Sequence, residues 1–346
     1  MKAWVLEDIN NMTLKEIDKP KLTFGDTLIK VKSAGICGSD IPRAYKSGAH
    51  KMPLTIGHEF AGEVVCAPGP KAHWMGKRVG IFPLIPCRKC APCLSRHYEM
   101  CRDYNYIGSR CDGAFAEYVV VPGTNLIELP DNVTYRQAAM LEPMAVAVHA
   151  MRGVAIDSQS TILICGMGTI GLMLLMFLLE KYDAHNIFVI GNKDFQKETA
   201  ISLGLATEHF LDSRDGAILT AKLAAINPDI YFECVGKNET IMQGVDITKP
   251  GGQVMLVGNP ASDINLPQHV YWKILRNQLT LRGTWNSSFT NSPDDDWHYV
   301  LDAISNNRIN PEPLITHEYD IDNLDKGFTL MRDKTKDYIK VMMISE

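Results

Sequence analysis

No run of apolar residues in this sequence is long enough to cross a bilayer. The most apolar stretch, residues 170–179, falls short of the roughly 20 residues that a spanning helix needs. Blocks of basic residues are also missing, and the formal net charge is −5, so a nucleic-acid surface is not expected. The first residues, Met1-Lys2-Ala3-Trp4-Val5-Leu6-Glu7-Asp8, contain no long apolar region and no cleavage site. They do not read as a secretory signal peptide. Internal repeats, low-complexity tracts and long linkers are absent from the sequence. With 46% hydrophobic and 22% charged residues, the composition is that of a soluble globular protein. A chain of 346 residues exceeds one ordinary core, so two domains are expected. Nine cysteines are present. Four of them stand at metal-ligand spacing, which points to metal rather than disulfides and to a reducing, cytoplasmic setting.

The most telling stretch is Gly57-His58-Glu59, set among apolar and small residues. Cys37 stands twenty-one positions earlier, within Gly35-Ile36-Cys37-Gly38-Ser39-Asp40. Thiolate, imidazole and carboxylate together suit a catalytic Zn²⁺ that keeps one position open. Ser39 follows the thiolate closely enough to pass a proton from a bound alcohol. It is equally placed to cap a short helix. Asp40 is a candidate acceptor for His58, the usual partner of a metal-bound imidazole. A second carboxylate, Glu142, sits in the apolar, helix-patterned segment 138–151. A buried carboxylate must be paired, protonated or metal-bound, so Glu59 and Glu142 compete as the third ligand.

Cys87, Cys90, Cys93 and Cys101 follow the spacing Cys-x₂-Cys-x₂-Cys-x₇-Cys. Four clustered thiolates close a tetrahedral zinc site with no open position, which is a structural site. An iron–sulfur cluster is the competing reading, disfavoured by the fourth spacing. Cys111 lies outside this pattern. Arg110, on the glycine-rich turn that contains it, reads as a loop cation able to meet an anion or to face solvent.

Up to about residue 150 the pattern is strands and loops. After Asp157 it changes. Residues 160–165 read as a buried strand and 172–182 as a helix, with Gly166-Met167-Gly168-Thr169-Ile170-Gly171 between them. This is Gly-x-Gly-x-x-Gly in the strand-turn-helix setting that a dinucleotide pyrophosphate requires. Thr169 and Ile170 belong to the same turn, and the phosphates are expected at the helix N-terminus. Alternating strands and helices continue to about residue 285, predicting a doubly wound parallel sheet. An NAD enzyme carries an acidic residue after the second strand. Here Gly191-Asn192-Lys193 stands instead. Nothing at Gly191 repels a 2′-phosphate, and Lys193 can attract one, so NADP is an expected cofactor alongside NAD. Asp194 is the residue that could still reach the ribose.

Taken together, Gly35 to Asp40, Gly57-His58-Glu59, the four cysteines, Glu142-Pro143 and the turn 166–171 resemble the zinc-dependent medium-chain dehydrogenase/reductase family along nearly the whole chain. Glu142-Pro143 and Val146-Ala147-Val148-His149 are similar to its polyol dehydrogenase branch. The resemblance implies a GroES-like, β-rich catalytic domain (1–150 and 286–346) and a Rossmann domain (151–285), with the active site in the cleft between them. It implies two zinc ions per chain, NAD(P), and a homodimer or homotetramer. The expected reaction is oxidation of a secondary alcohol on a polyol or a polyol phosphate such as galactitol 1-phosphate. Arg43, Lys46, His50 and Arg110 are the candidates to meet a phosphate. A free sugar alcohol and L-threonine are the rival substrates. A zinc- and nucleotide-binding protein without turnover is the alternative of a different class.

Overall fold

The computed structural model describes residues 1–345. The chain divides into two compact units, one of Met1–Ala145 with Ser287–Glu346, the other of Val146–Asn286.

The strands of the first unit that precede residue 130 are β1 (Lys2–Asp8), β2 (Asn11–Glu16), β3 (Asp26–Ile36), β4 (Leu54–Thr55), β5 (Glu59–Cys66), β6 (Arg78–Ile81), β7 (Leu84–Ile85), β8 (Asn105–Tyr106), β9 (Tyr118–Pro122) and β10 (Leu126–Glu128). β3 alternates half-buried and buried residues over most of its length, the period-2 signature of a strand with one face on a core. It pairs antiparallel with β5, with Gly35 opposite Glu59. Its first half pairs with β9. Trp4, Phe60, Phe115 and Phe328 belong to the apolar core that these strands enclose.

The second unit carries β11 (Ile162–Cys165), β12 (Ile187–Gly191), β13 (Phe210–Asp212), β14 (Ile230–Glu233), β15 (Gln253–Leu256) and β16 (Thr280–Gly283). They form a six-stranded sheet in the order β13-β12-β11-β14-β15-β16. Every pairing in it is parallel. β11 is buried along its whole length, as a parallel strand covered on both faces must be. The order reverses direction between β11 and β14, so the crevice at the C-terminal ends of those strands is where such sheets take ligands.

After residue 286 the chain returns to the first unit with β17 (Ile315–Tyr319) and β18 (Lys340–Ile344). β18 lies antiparallel to β3, with Val341 opposite Ile36. The seven-stranded sheet thus runs β10-β6-β5-β3-β18-β17, with β9 beside β3. Among the described residues no helix is long and apolar enough to cross a membrane.

Candidate active site and metal centres

The register of β3 against β5 builds the first site. Cys37 follows the last residue of β3, and Glu59 opens β5 with His58 just before it. Ligand atoms of Cys37, His58 and Glu59 all lie within 4.8 Å of one another. Gly57 precedes them with φ +102°, a backbone state that costs glycine nothing. His58 and Glu59 are 5% and 1% exposed, so neither can be satisfied by bulk water. His58 Nδ1 is buried without a hydrogen-bond partner, and Glu59 Oε2 accepts no well-directed hydrogen bond. Thiolate, imidazole and carboxylate donors fit a zinc ion.

Around this triad stand groups that tune it. Ser39 Oγ donates to Cys37 Sγ at 3.3 Å, and it makes no side-chain cap on the short helix Asp40–Pro42. Asp40 is fully buried. Its Oδ2 accepts the Cys37 N–H at 3.0 Å, and its Oδ1 lies 3.5 Å from His58 Nδ1. Burial opposes charge on both groups. The His58–Asp40 attraction overrides it, holding the imidazole well above its usual pKa and the carboxyl below its own. Arg43 pairs with the same Asp40.

Glu142 stands outside the 4.8 Å group. The Tyr106 hydroxyl donates to its Oε1 at 3.0 Å. Burial, helped by the nearby Glu59, pushes Glu142 up to about 7, while His58 and the Tyr106 hydrogen bond pull it down.

Cys87, Cys90, Cys93 and Cys101 form the second group, their sulfurs also within 4.8 Å of one another. Cys87 and Cys93 sulfurs are 3.9 Å apart, as are those of Cys90 and Cys101. All four are free thiols. Backbone N–H groups of Arg102 and Cys93 draw Cys90 down to about 6, whereas burial pushes Cys93 up to about 12. Four thiols at this spacing are the donor set of a closed tetrahedral zinc site.

The candidate cations do not all converge. Burial depresses the His50 pKa, and Arg110 and Arg43 add to the effect, so these three stand within electrostatic reach of one another. Lys46 has no such influence on His50 and is exposed. The Arg110 guanidinium lies 4.5 Å over the Tyr104 ring, and its Nε is buried without a hydrogen-bond partner. Tyr104 packs edge-on against Tyr106, and Tyr106 against His58.

In the second unit, Gly166 has φ +101° and closes the turn after β11. A Cβ on Gly171 would sit 1.9 Å from the Gly166 oxygen, whereas one on Gly168 would meet nothing within 4 Å. The third glycine is thus required by packing. The second faces open space at the start of the helix Thr169–Lys181, where a phosphate fits. At the end of β12 a Cβ on Gly191 would press into the Phe210 ring at 2.5 Å, so an acidic side chain there would have to displace that ring. The Asn192 N–H donates to Gln196 Oε1 at 3.1 Å. Lys193 Nζ lies 5.2 Å from the Phe195 ring centroid. Asp194, expected as the residue that could reach the ribose, pairs instead with Arg214, which also binds Asp212.

Known proteins match both units. Residues 24–131 fit the model of the alcohol dehydrogenase GroES-like domain, and 169–306 that of the zinc-binding dehydrogenases. Galactitol 1-phosphate 5-dehydrogenase of Escherichia coli K12 is 32% identical over 92% of either chain. The chain belongs to the zinc-dependent medium-chain dehydrogenase/reductase family. Solved members agree. The crystal structure of galactitol-1-phosphate dehydrogenase from Escherichia coli superposes with a TM-score of 0.91 at 29% identity, covering 100% of both chains. A protein of Sinorhizobium meliloti 1021 whose structure holds NADP superposes with a TM-score of 0.88 at 26% identity, covering 99% of both.

Membership makes the protein an enzyme, an oxidoreductase of the zinc-type alcohol and polyol dehydrogenases that works with NAD(P). The alternative without turnover falls away. The GroES-like and Rossmann assignments stand.

Sequence reasoning missed Lys340. It is fully buried, and its ammonium pairs with Glu59 Oε2. The attraction of Glu59, then of Cys37, overcomes burial and raises its pKa. A lysine inside the apolar run 338–344 was its only signal. Tyr106, Tyr104 and Arg214 were missed as well. None sits in a motif, and only the fold brings Tyr106 to Glu142 and His58, and Arg214 to Asp194.

Proposed function

We propose that the enzyme reversibly oxidises a secondary alcohol on a polyol phosphate of the galactitol 1-phosphate kind. The observation that carries this reading is the grouping of Arg43, His50 and Arg110. Arg43 reaches back through Asp40 to His58, and Arg110 through Tyr104 and Tyr106 to the same imidazole. Arginine suits the oxygens of a phosphate, and the buried Arg110 Nε still lacks an acceptor. The printed name of the Escherichia coli relative points the same way.

Cys37, His58 and Glu59 would hold the catalytic zinc, with Glu142 as the alternative carboxylate. Zinc bound there supplies Lewis-acid chemistry, acidifying a hydroxyl placed on it. Ser39 takes up the proton and passes it outward, and Asp40 fixes the orientation of His58. Lys340 offsets the charge of Glu59. Cys87, Cys90, Cys93 and Cys101 would hold the structural zinc. Gly166, Gly168, Thr169, Ile170 and Gly171 would hold the dinucleotide, with Asn192 and Lys193 on the ribose side, and the bound cofactor would supply hydride-transfer chemistry. Glycine at 191 and the cations Lys193 and Arg214 favour NADP.

The active oligomer is a homodimer or homotetramer. Its support is the exposed sheet edge at β16 and, in the same unit, the exposed apolar side chains of Trp285, Tyr271 and Leu275, features suited to a second copy.

The test is a spectrophotometric matrix. NAD⁺ and NADP⁺ are each offered with galactitol 1-phosphate, galactitol, sorbitol and L-threonine, using enzyme with about two zinc ions per chain. Turnover confined to the phosphorylated polyol supports the reading. Turnover of an unphosphorylated polyol or of L-threonine alone sinks the phosphate assignment. A better kcat/KM with NAD⁺ sinks the cofactor preference. Light scattering reads the oligomer.

A further inference from the structure

Glu233 is the last residue of β14 and is wholly buried. It faces Cys165 of β11 across the sheet, at the point where strand order reverses. A carboxylate in such a place needs donors, and all of those it has come from the segment just after it. Glu233 Oε1 accepts the N–H of Val235 at 2.9 Å, the N–H of Gly236 at 2.8 Å and the Thr240 hydroxyl at 2.7 Å. Oε2 takes a second share of the Gly236 N–H at 3.1 Å. The backbone oxygen of the same residue accepts N–H groups of Val257 and Gly258. A Cβ on Gly258 would strike the Gly236 nitrogen at 2.1 Å and Glu233 Oε2 at 2.6 Å. Glu233 therefore fastens the loop after β14 to the loop after β15.

The loop so held is not remote from the cofactor. A Cβ on Gly166 would meet Val235 Cγ2 at 2.7 Å, so Val235 packs on the first glycine of the dinucleotide turn. Val235 is also 36% exposed, an apolar side chain presented at the end of the switch-point strands. Ligands of open parallel sheets bind in that crevice.

We propose that Glu233 is a positioning residue for the dinucleotide: its carboxylate fixes residues 234–237 so that Val235 and the Gly236 backbone form one wall of the cofactor crevice. The proposal rests on the second unit being the dinucleotide-binding one. Wild-type binding of NADPH or NADH reports on that premise separately.

The experiment measures the Kd of NADPH and NADH by nicotinamide fluorescence on zinc-loaded wild type, Glu233→Ala, Glu233→Gln and Thr240→Val. Zinc content and thermal unfolding are recorded alongside. Glutamine keeps an acceptor oxygen at the Oε1 position, so Glu233→Gln should bind within about threefold of wild type, whereas Glu233→Ala should weaken both dinucleotides about tenfold. Thr240→Val removes one donor and should weaken them about threefold. KM for the dinucleotide should rise more than kcat falls. A purely architectural role would lower Tm and leave Kd unchanged in the folded variants. That result overturns the proposal, and so does Glu233→Gln being as impaired as Glu233→Ala. If Glu233→Ala fails to fold, Thr240→Val decides, and an unchanged Kd there overturns it.

Discussion

Lys340 and Glu59 form an ion pair whose side chains are each only 2% exposed. They arrive from β18 and β5, on either side of β3, and the pair closes beside Cys37 and His58. Removing one member of a buried pair leaves the other uncompensated, at a cost of about 3–5 kcal/mol. Lys340→Met should destabilise the zinc-free protein by about that amount. A bound cation would restore charge balance at Glu59, so the zinc-loaded variant should lose distinctly less. Urea unfolding with and without zinc reads the difference. Equal losses in the two forms would place Glu59 outside the metal site.

Ser39 donates to the Cys37 sulfur and makes no side-chain cap on the helix that follows. Proton-transfer assistance is worth roughly 10²-fold at its low end. Ser39→Ala should lower kcat by about that factor, with zinc content and dinucleotide Kd unchanged. A kcat within about twofold of wild type would assign the proton to another carrier.

Arg214 holds Asp194, the first residue of the helix after β12, and Asp212, the last residue of β13, and leaves its guanidinium half-exposed. If NADP⁺ is the preferred cofactor, Arg214→Ala should reduce kcat/KM for NADP⁺ about tenfold and leave NAD⁺ within about twofold, since charge-assisted bonds to phosphate are the strong ones. Parallel losses with both cofactors would make Arg214 a structural brace.

Asp295 caps the helix Asp296–Ser305. Its carboxylate accepts the N–H of His298 at 2.9 Å and that of Thr290 at 2.9 Å, and it meets His298 Nδ1 at 2.8 Å. Burial works against its charge, but these contacts hold its pKa below the usual carboxylate value. A carboxyl depressed on folding contributes stability above its unfolded pKa and loses it as pH falls through the folded one. Asp295→Ala should therefore cost about 1–2 kcal/mol at pH 7. The gap to wild type should close only below about pH 4. A gap that is flat down to pH 2 would remove the carboxylate from the account.

The sites that could be read in the sequence are those whose chemistry fixes residue type at short range. Glycine at 166 and 171 is demanded by the turn and by contact with the strand. The four cysteines lie within one lobe, and the sequence also shows glycine, not an acidic residue, at the end of β12. Partners brought in from elsewhere left no such trace. Lys340 meets a backbone oxygen of Ile36, 304 positions away, and only the β18–β3 register puts it there. Arg110 reads as a free loop cation because nothing local shows that it will lie on Tyr104. Asp194 reads as a ribose ligand because Arg214, twenty residues on, carries no signal that it will claim it.

Gly57 is held between two other glycines. A Cβ on Gly108 or on Gly113 would come within 2.2 Å of the Gly57 oxygen, and one on Gly57 would touch the Phe115 ring. The segment that carries Tyr106 and Arg110 is therefore seated directly on the backbone that aims His58. An engineer who wants a new alcohol accepted cannot swap 106–113 as an independent cassette. Both glycines must travel with any graft, and so must Asp112, whose carboxylate accepts the Thr55 N–H at 3.0 Å just ahead of Gly57.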